Sequence, residues 1–243
     1  MWLKITNNYS PNFTLFRRTK KSIRYIIIHY TGMKRESDAI KRLCDENKKV
    51  SAHFFIKNNG EVINLVPEIF QAWHAGKSSW KKTNSLNKNS IGIEIHNPGH
   101  NHEYKSFSIK QINSLKLLLK MLIKKYSINS SNILGHSDIA PERKKDPGEK
   151  FPWKNLAKLN LAKWHKLDEK HLKKNRFKKL NKDEEEKFLN NLYIIGYNKI
   201  KNINFNLSKR FIIKAFQRRY RQSLVNGKSD KECFLISKNL LKS

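Results

Sequence analysis

"RYIIIHYTG" (Arg24–Gly32) is an apolar, β-branched run that stops at a glycine. A short run of this kind, bounded by a turn residue, reads as a buried strand. His29 stands near its carboxyl end, where a buried imidazole needs a polar partner. The carboxyl edge of a sheet is also where loops gather to build sites.

Working outward, "SIGIEIHN" (Ser90–Asn97) alternates strictly. Ile91, Ile93 and Ile95 face one side of a strand, and Gly92, Glu94 and His96 the other. "SAHFFIKNNGEVINLVP" (Ser51–Pro67) reads as a hairpin, with its turn at Asn58-Asn59-Gly60. "SDAIKRLCDENKK" (Ser37–Lys49) has helical spacing after a capping residue. "SFSIKQINSLKLLLKMLIKKYS" (Ser106–Ser127) is an amphipathic helix with Ile112, Leu115, Leu119 and Leu122 as its stripe. Ser108 and Gln111 have the spacing of a capping box. "SNILGHS" (Ser131–Ser137) returns as a short strand ending at His136. Strands interleaved with helices predict an α/β fold, a central sheet flanked by helices.

Past Trp153 the chain turns strongly basic, and then three helical patterns follow. Their expected caps are Asp183 with Glu186, Ser208, and Ser229 with Glu232. This gives a domain over residues 1–165, a basic linker over 166–182 and a small all-α three-helix domain over 183–243.

Lys and Arg number 51 against 20 Asp and Glu, a net charge of +31. Such a chain attracts polyanions: nucleic acid, an acidic polymer or an anionic membrane. The lysines are spread along the whole chain rather than gathered in one block, so no specific nucleic-acid partner is expected. No apolar run is long enough for a transmembrane helix, and "MWLKITNNYSPNFTLFRRTKK" lacks the apolar core of a secretory signal. Cys44 and Cys233 form no CxxC pair and read as buried thiols.

Chemistry concentrates in "GHSDIAPERKKDPG" (Gly135–Gly148). Pro141, between His136 and Asp146, and Pro147, just after Asp146, restrict the backbone on both sides of that carboxylate. His29, His136 and Asp146 make a donor set suited to catalytic zinc, with three protein ligands and an open fourth position. The spacing matches no short zinc-hydrolase signature such as HExxH. The other histidines carry weaker signals. His96, His100 and His102 in "HNPGHNH" read as solvated or weakly substrate-facing, and His53 as structural. Asp138, two residues after His136, reads as a local hydrogen-bond acceptor or as a group that supports the neighbouring ligand.

The same segment resembles the zinc-ligand loop of the AmpD and AmiD group of N-acetylmuramoyl-L-alanine amidases. "IIIHYT" (Ile26–Thr31), "SAHFFIKNNGEV" (Ser51–Val62), "AWHAG" (Ala72–Gly76) and "SIGIEI" (Ser90–Ile95) resemble further motifs of that family, in its order. The resemblance implies a peptidoglycan-recognition-protein-like fold with a mixed sheet, and one zinc ion per chain held by His29, His136 and Asp146. It implies Glu94 and Lys144 as catalytic residues; Arg143 and Lys145, two more cations in a lysine-rich stretch, read as solvated. Trp73 and His74 would contact the substrate. "FIIKAFQRRYRQSLVNGKSDKECFLISKNLL" (Phe211–Leu241) is similar to three-helix peptidoglycan-binding domains, in the layout of the AmiD branch. The expected activity is hydrolysis of the amide between the lactyl group of N-acetylmuramic acid, intact or 1,6-anhydro, and L-Ala of the stem peptide. A monomer acting on peptidoglycan or muropeptides is expected. The wall-binding module favours the cell envelope, and the missing signal favours the cytoplasm. The alternative is a non-catalytic peptidoglycan-recognition protein, although such proteins typically lose a ligand that this chain retains.

Overall fold

The computed structural model describes residues 3–242. The chain runs β1 (Ile5–Asn7), β2 (Phe13–Thr14), β3 (Tyr25–Tyr30), α1 (Glu36–Cys44), β4 (Phe54–Ile56), β5 (Val62–Asn64), β6 (Gln71–Ala72), β7 (Ser79–Trp80), β8 (Thr83–Asn84) and β9 (Ser90–Ile95). It continues with α2 (Ile109–Tyr126), β10 (Ile133–Gly135), α3 (His136–Ile139), α4 (Trp153–Ala157), α5 (Glu169–Asn175), α6 (Lys182–Ile195), α7 (Phe205–Tyr220) and α8 (Lys231–Lys242). The main sheet has the order β1-β5-β4-β9-β3-β10. β4 and β5 pair antiparallel as the expected hairpin, and the other neighbours pair parallel.

The unbroken apolar run of β3 follows from burial on both faces. Ile26 and Ile28 join Ile91, Ile93 and Ile95 of β9 against Leu115, Leu118, Leu119 and Leu122 of α2. Tyr25 and Ile27 face the other way, into a cluster with Phe188 of α6, Ile212 and Phe216 of α7 and Ile236 of α8. Each isoleucine so buried contributes about 1.5–3 kcal/mol. The carboxyl-terminal helices therefore share a core with the sheet.

The capping box of α2 forms as read: Ser108 Oγ accepts from Gln111 N at 3.1 Å, and Gln111 Oε1 accepts from Ser108 N at 2.9 Å. The caps expected further on are corrected. Asn181 and Glu184 box the start of α6, Asn204 caps α7, and Asp230 accepts from Cys233 N at 3.0 Å at the start of α8. Asn and Asp cap as well as Ser, and at α6 and α7 they lie upstream of the residues expected. Ser208 is inside α7, accepting from Ile200 N, and Ser229 donates to Glu185. The start of α1 has no side-chain cap at Arg35. The 166–182 segment contains α5, whose Leu172 is buried in the shared core while Lys170, Lys173 and Lys174 stay exposed. One apolar residue among lysines leaves little helical periodicity to read. Cys233 is buried, but Cys44, at the end of α1, is only partly so. Among the described residues, no helix is long and apolar enough to cross a membrane.

Candidate active site

β3 and β9 run parallel with His29 registered on Glu94, and β10 lies on the other side of β3. The sheet therefore delivers His29, Glu94 and the residue after β10 to one edge. That residue, His136, opens the α3 turn rather than closing the strand. Ser137 N donates to the Asp146 carbonyl at 2.8 Å, which folds the Gly135–Gly148 loop back so that its two candidate ligands meet.

Three buried donor atoms converge. His29 Nδ1 lies 2.9 Å from His136 Nδ1 and 3.1 Å from Asp146 Oδ2, and His136 Nδ1 is 3.0 Å from the same oxygen. Ligand atoms on a tetrahedral zinc are roughly 3.3 Å apart for bonds of about 2.0–2.1 Å. Among the described residues, this is the one His/Cys/Asp/Glu group spaced to hold a metal.

The surrounding hydrogen bonds fix which ring nitrogens carry protons. Ser90 Oγ donates to the Leu86 carbonyl at 2.6 Å, so it accepts from His74 Nε2 at 3.1 Å. His74 Nδ1 is then the acceptor for His29 Nε2–H at 3.0 Å, and His29 Nδ1 is left as a bare lone pair. His136 Nε2 donates to the Ala75 carbonyl at 3.2 Å, which leaves its Nδ1 bare as well. Two lone pairs and a carboxylate aimed at one buried point repel one another unless a cation sits among them. The residues therefore fit zinc, and the relay behind His29 has the form of the outer hydrogen bonds that orient metal-bound imidazoles.

His74 is thus buried behind His29, although its ring also borders the cleft. Gly92 makes room for it: a Cβ there would lie 2.4 Å from His74 Cγ. Trp73 is hydrogen-bonded to Thr14 through Nε1 at 3.0 Å and lies outside the residues lining the cleft. His74→Ala is expected to weaken zinc binding about 10–100-fold, read by competition with a chelating dye. Unchanged affinity would remove His74 from the relay.

The cleft over these ligands, of about 360 Å³, is lined also by Tyr30, Glu94, Arg143, Lys144 and Lys145. Glu94 Oε2 is buried with no hydrogen-bond partner. Burial, and then the nearby Asp146 charge, push its carboxyl up to about 8, against the pull of Lys144. Asp146 is held well below the carboxylate range, against its burial, when His136 and His29 carry a proton on the nitrogens that face it, the positive charge that a metal would otherwise supply. Arg143, expected to be solvated, is a clamp: Nη2 donates to the carbonyls of Ala75 and Lys77. Its sequence gives no sign of this, since the bonded loop lies 66 residues or more away. His53 is structural as read, accepting from Gly92 N at 2.9 Å. His100 is bonded to Tyr30 and Glu149, and His96 to Thr31.

Burial pushes His29 and His165 down to about 4, and His53 and His74 well below the ordinary value. A histidine with a lowered folded value stabilises above its unfolded value of about 6.5, and that contribution is lost as pH falls through the folded value. Glu94, raised on folding, shifts stability the opposite way, but it is one group against four. Zinc-free protein is therefore expected to lose on the order of several kcal/mol between about pH 6.5 and 4. Melting temperature against pH measures this. A flat profile would mean that these rings are not buried in the neutral form.

Residues 19–149 match the model of the family described as N-acetylmuramoyl-L-alanine amidase. The chain is 34% identical over 231 residues to N-acetylmuramoyl-L-alanine amidase AmiD of Escherichia coli (strain K12), covering 90% of this chain and 82% of AmiD. It is 37% identical over 118 residues to the 1,6-anhydro-N-acetylmuramyl-L-alanine amidase AmpD of Citrobacter freundii, covering 49% of this chain and 61% of AmpD. Among solved structures, E. coli AmiD in complex with anhydro-N-acetylmuramic acid-L-Ala-D-gamma-Glu-L-Lys superposes with a TM-score of 0.79 at 34% identity, covering 91% of this chain and 89% of that one. AmpDH3 from Pseudomonas aeruginosa also gives a TM-score of 0.79, at 29% identity over 94% of this chain and 96% of that one. Since the similarity to AmiD runs through both the sheet and the carboxyl-terminal helices, the chain belongs to the N-acetylmuramoyl-L-alanine amidase family.

Proposed function

We propose that the chain, working as a monomer with one zinc ion, cleaves the amide between the lactyl group of N-acetylmuramic acid and L-Ala of a stem peptide. The observation that carries this reading is the convergence of His29, His136 and Asp146 on one buried point, in a cleft that Glu94 also lines with its Oε2 buried and without a hydrogen-bond partner. These three residues would hold the zinc. Bound there, it would supply an activated water and polarise the amide carbonyl.

The chain's own residues do the rest. Glu94 takes a proton at Oε2 and returns it to the leaving nitrogen. Its elevated pKa suits a group that must both accept and donate near neutral pH, and a cation at the ligands pulls that value down from about 8. Lys144 offers a positive charge in the cleft for the oxygen of the tetrahedral intermediate. His74, at the cleft wall, borders the muropeptide, whereas Trp73, outside the cleft lining, holds the same loop through Thr14. The anhydro form is the favoured substrate, since the AmpD and AmiD relatives are named for it or bound to it. The carboxyl-terminal helices bind peptidoglycan, and the envelope is the place of action.

The test is product identity. Purified protein incubated with an anhydromuropeptide is expected to release peptide with a free L-Ala amino terminus, and chelation is expected to stop the release. Cleavage at any other bond contradicts the assignment.

A further inference from the structure

Asp138 has partners that its position two residues after His136 does not reveal in the sequence. Its carboxylate is buried in the α3 turn. Oδ2 accepts from Gly135 N at 2.8 Å and from Arg219 Nη1 at 2.7 Å, while Oδ1 accepts from Tyr197 OH at 2.7 Å. Both side-chain donors come from the carboxyl-terminal helical region: Arg219 from α7, and Tyr197 from just after α6. Arg219 also donates through Nη2 to the Ile133 carbonyl of β10 at 2.9 Å, and its guanidinium lies 4.2 Å over the Trp153 ring. Tyr197 is fixed in turn by an edge-to-face contact with Trp80 at 4.9 Å.

These bonds grip the strand and turn that deliver His136. The same turn holds Asp146 through the bond from Ser137 N, so two of the three candidate zinc ligands depend on its position. A buried carboxylate stripped of its cationic partner must find water or move. Movement here shifts donor atoms that a metal tolerates only within about 0.2 Å.

We propose that Arg219 and Tyr197 are positioning residues of the metal centre, acting through Asp138 on His136. The carboxyl-terminal region is then part of the apparatus that sets zinc affinity, whatever else it binds. This rests on the zinc reading above.

The experiment measures the zinc dissociation constant of the full-length chain by dye competition for wild type, Arg219→Met and Tyr197→Phe, together with the melting temperature of each zinc-free protein. Affinity is expected to fall about 10–100-fold in Arg219→Met, and by a smaller but measurable factor in Tyr197→Phe. A purely structural role would lower melting temperatures and leave the affinity of folded protein unchanged; that result overturns the proposal. If Arg219→Met does not fold, Tyr197→Phe, which loses a single oxygen, decides alone. A wild-type chain that binds no zinc overturns the metal reading as well, whereas wild-type binding with unaffected variants overturns only this inference.

Discussion

Glu94→Gln is expected to slow amide hydrolysis about 10³-fold while leaving zinc bound as tightly as in wild type. Glutamine keeps the shape of the side chain and a carbonyl oxygen, but it cannot accept the proton of an attacking water. Glu94 stands opposite His29 in the β9–β3 register, with Oε2 buried and unpartnered. It is outside the converging donor set, so metal content should not change. Peptide release from a muropeptide at saturation, with metal content measured on the same sample, checks both halves. A loss under tenfold would take Glu94 out of the chemistry, and a loss of zinc would make it a ligand instead. In the wild type, activity is expected to rise with pH as Glu94 ionises. The midpoint should lie below about 8, because bound zinc offsets the charge of Asp146 that helps raise it.

His136→Ala is expected to remove both zinc and activity. Losing the metal costs several kcal/mol of transition-state stabilisation, about 10³–10⁴-fold in rate. The turn itself should persist, since Asp138 still binds Gly135 N, Arg219 and Tyr197, and Ser137 N still binds the Asp146 carbonyl. Circular dichroism and a melting curve establish that the variant is folded. A folded His136→Ala protein that retains stoichiometric zinc and normal turnover would contradict the assigned ligand set.

What could be read from the sequence was what depends on neighbours along the chain. The β-branched run of β3 announces a strand buried on two faces, and the alternation of β9 separates Glu94 from the isoleucines beneath it. The box at Ser108 and Gln111 needs three residues of separation and was legible for that reason. The cap positions of α6, α7 and α8 were not, because polar residues crowd those starts and several could accept the same bond.

Within the site, the resemblance supplied the residues, and geometry adds how they are held. The relay from Ser90 through His74 to His29 needs a loop residue brought against two strands 16 and 45 residues away, and no local pattern reports it. Arg219 meets Asp138 across 81 residues. In a chain with 51 Lys and Arg, one arginine that goes to the core looks like all the others. Its partner Asp138, read as a local acceptor or a support for the neighbouring ligand, joins the two regions of the fold.

The most direct test is a zinc titration of metal-depleted protein with peptide release as the readout. Activity is expected to be absent at the start, to rise linearly and to level off at one zinc per chain. Full activity before any zinc is added, or a plateau that requires two ions, would contradict a single centre built from His29, His136 and Asp146.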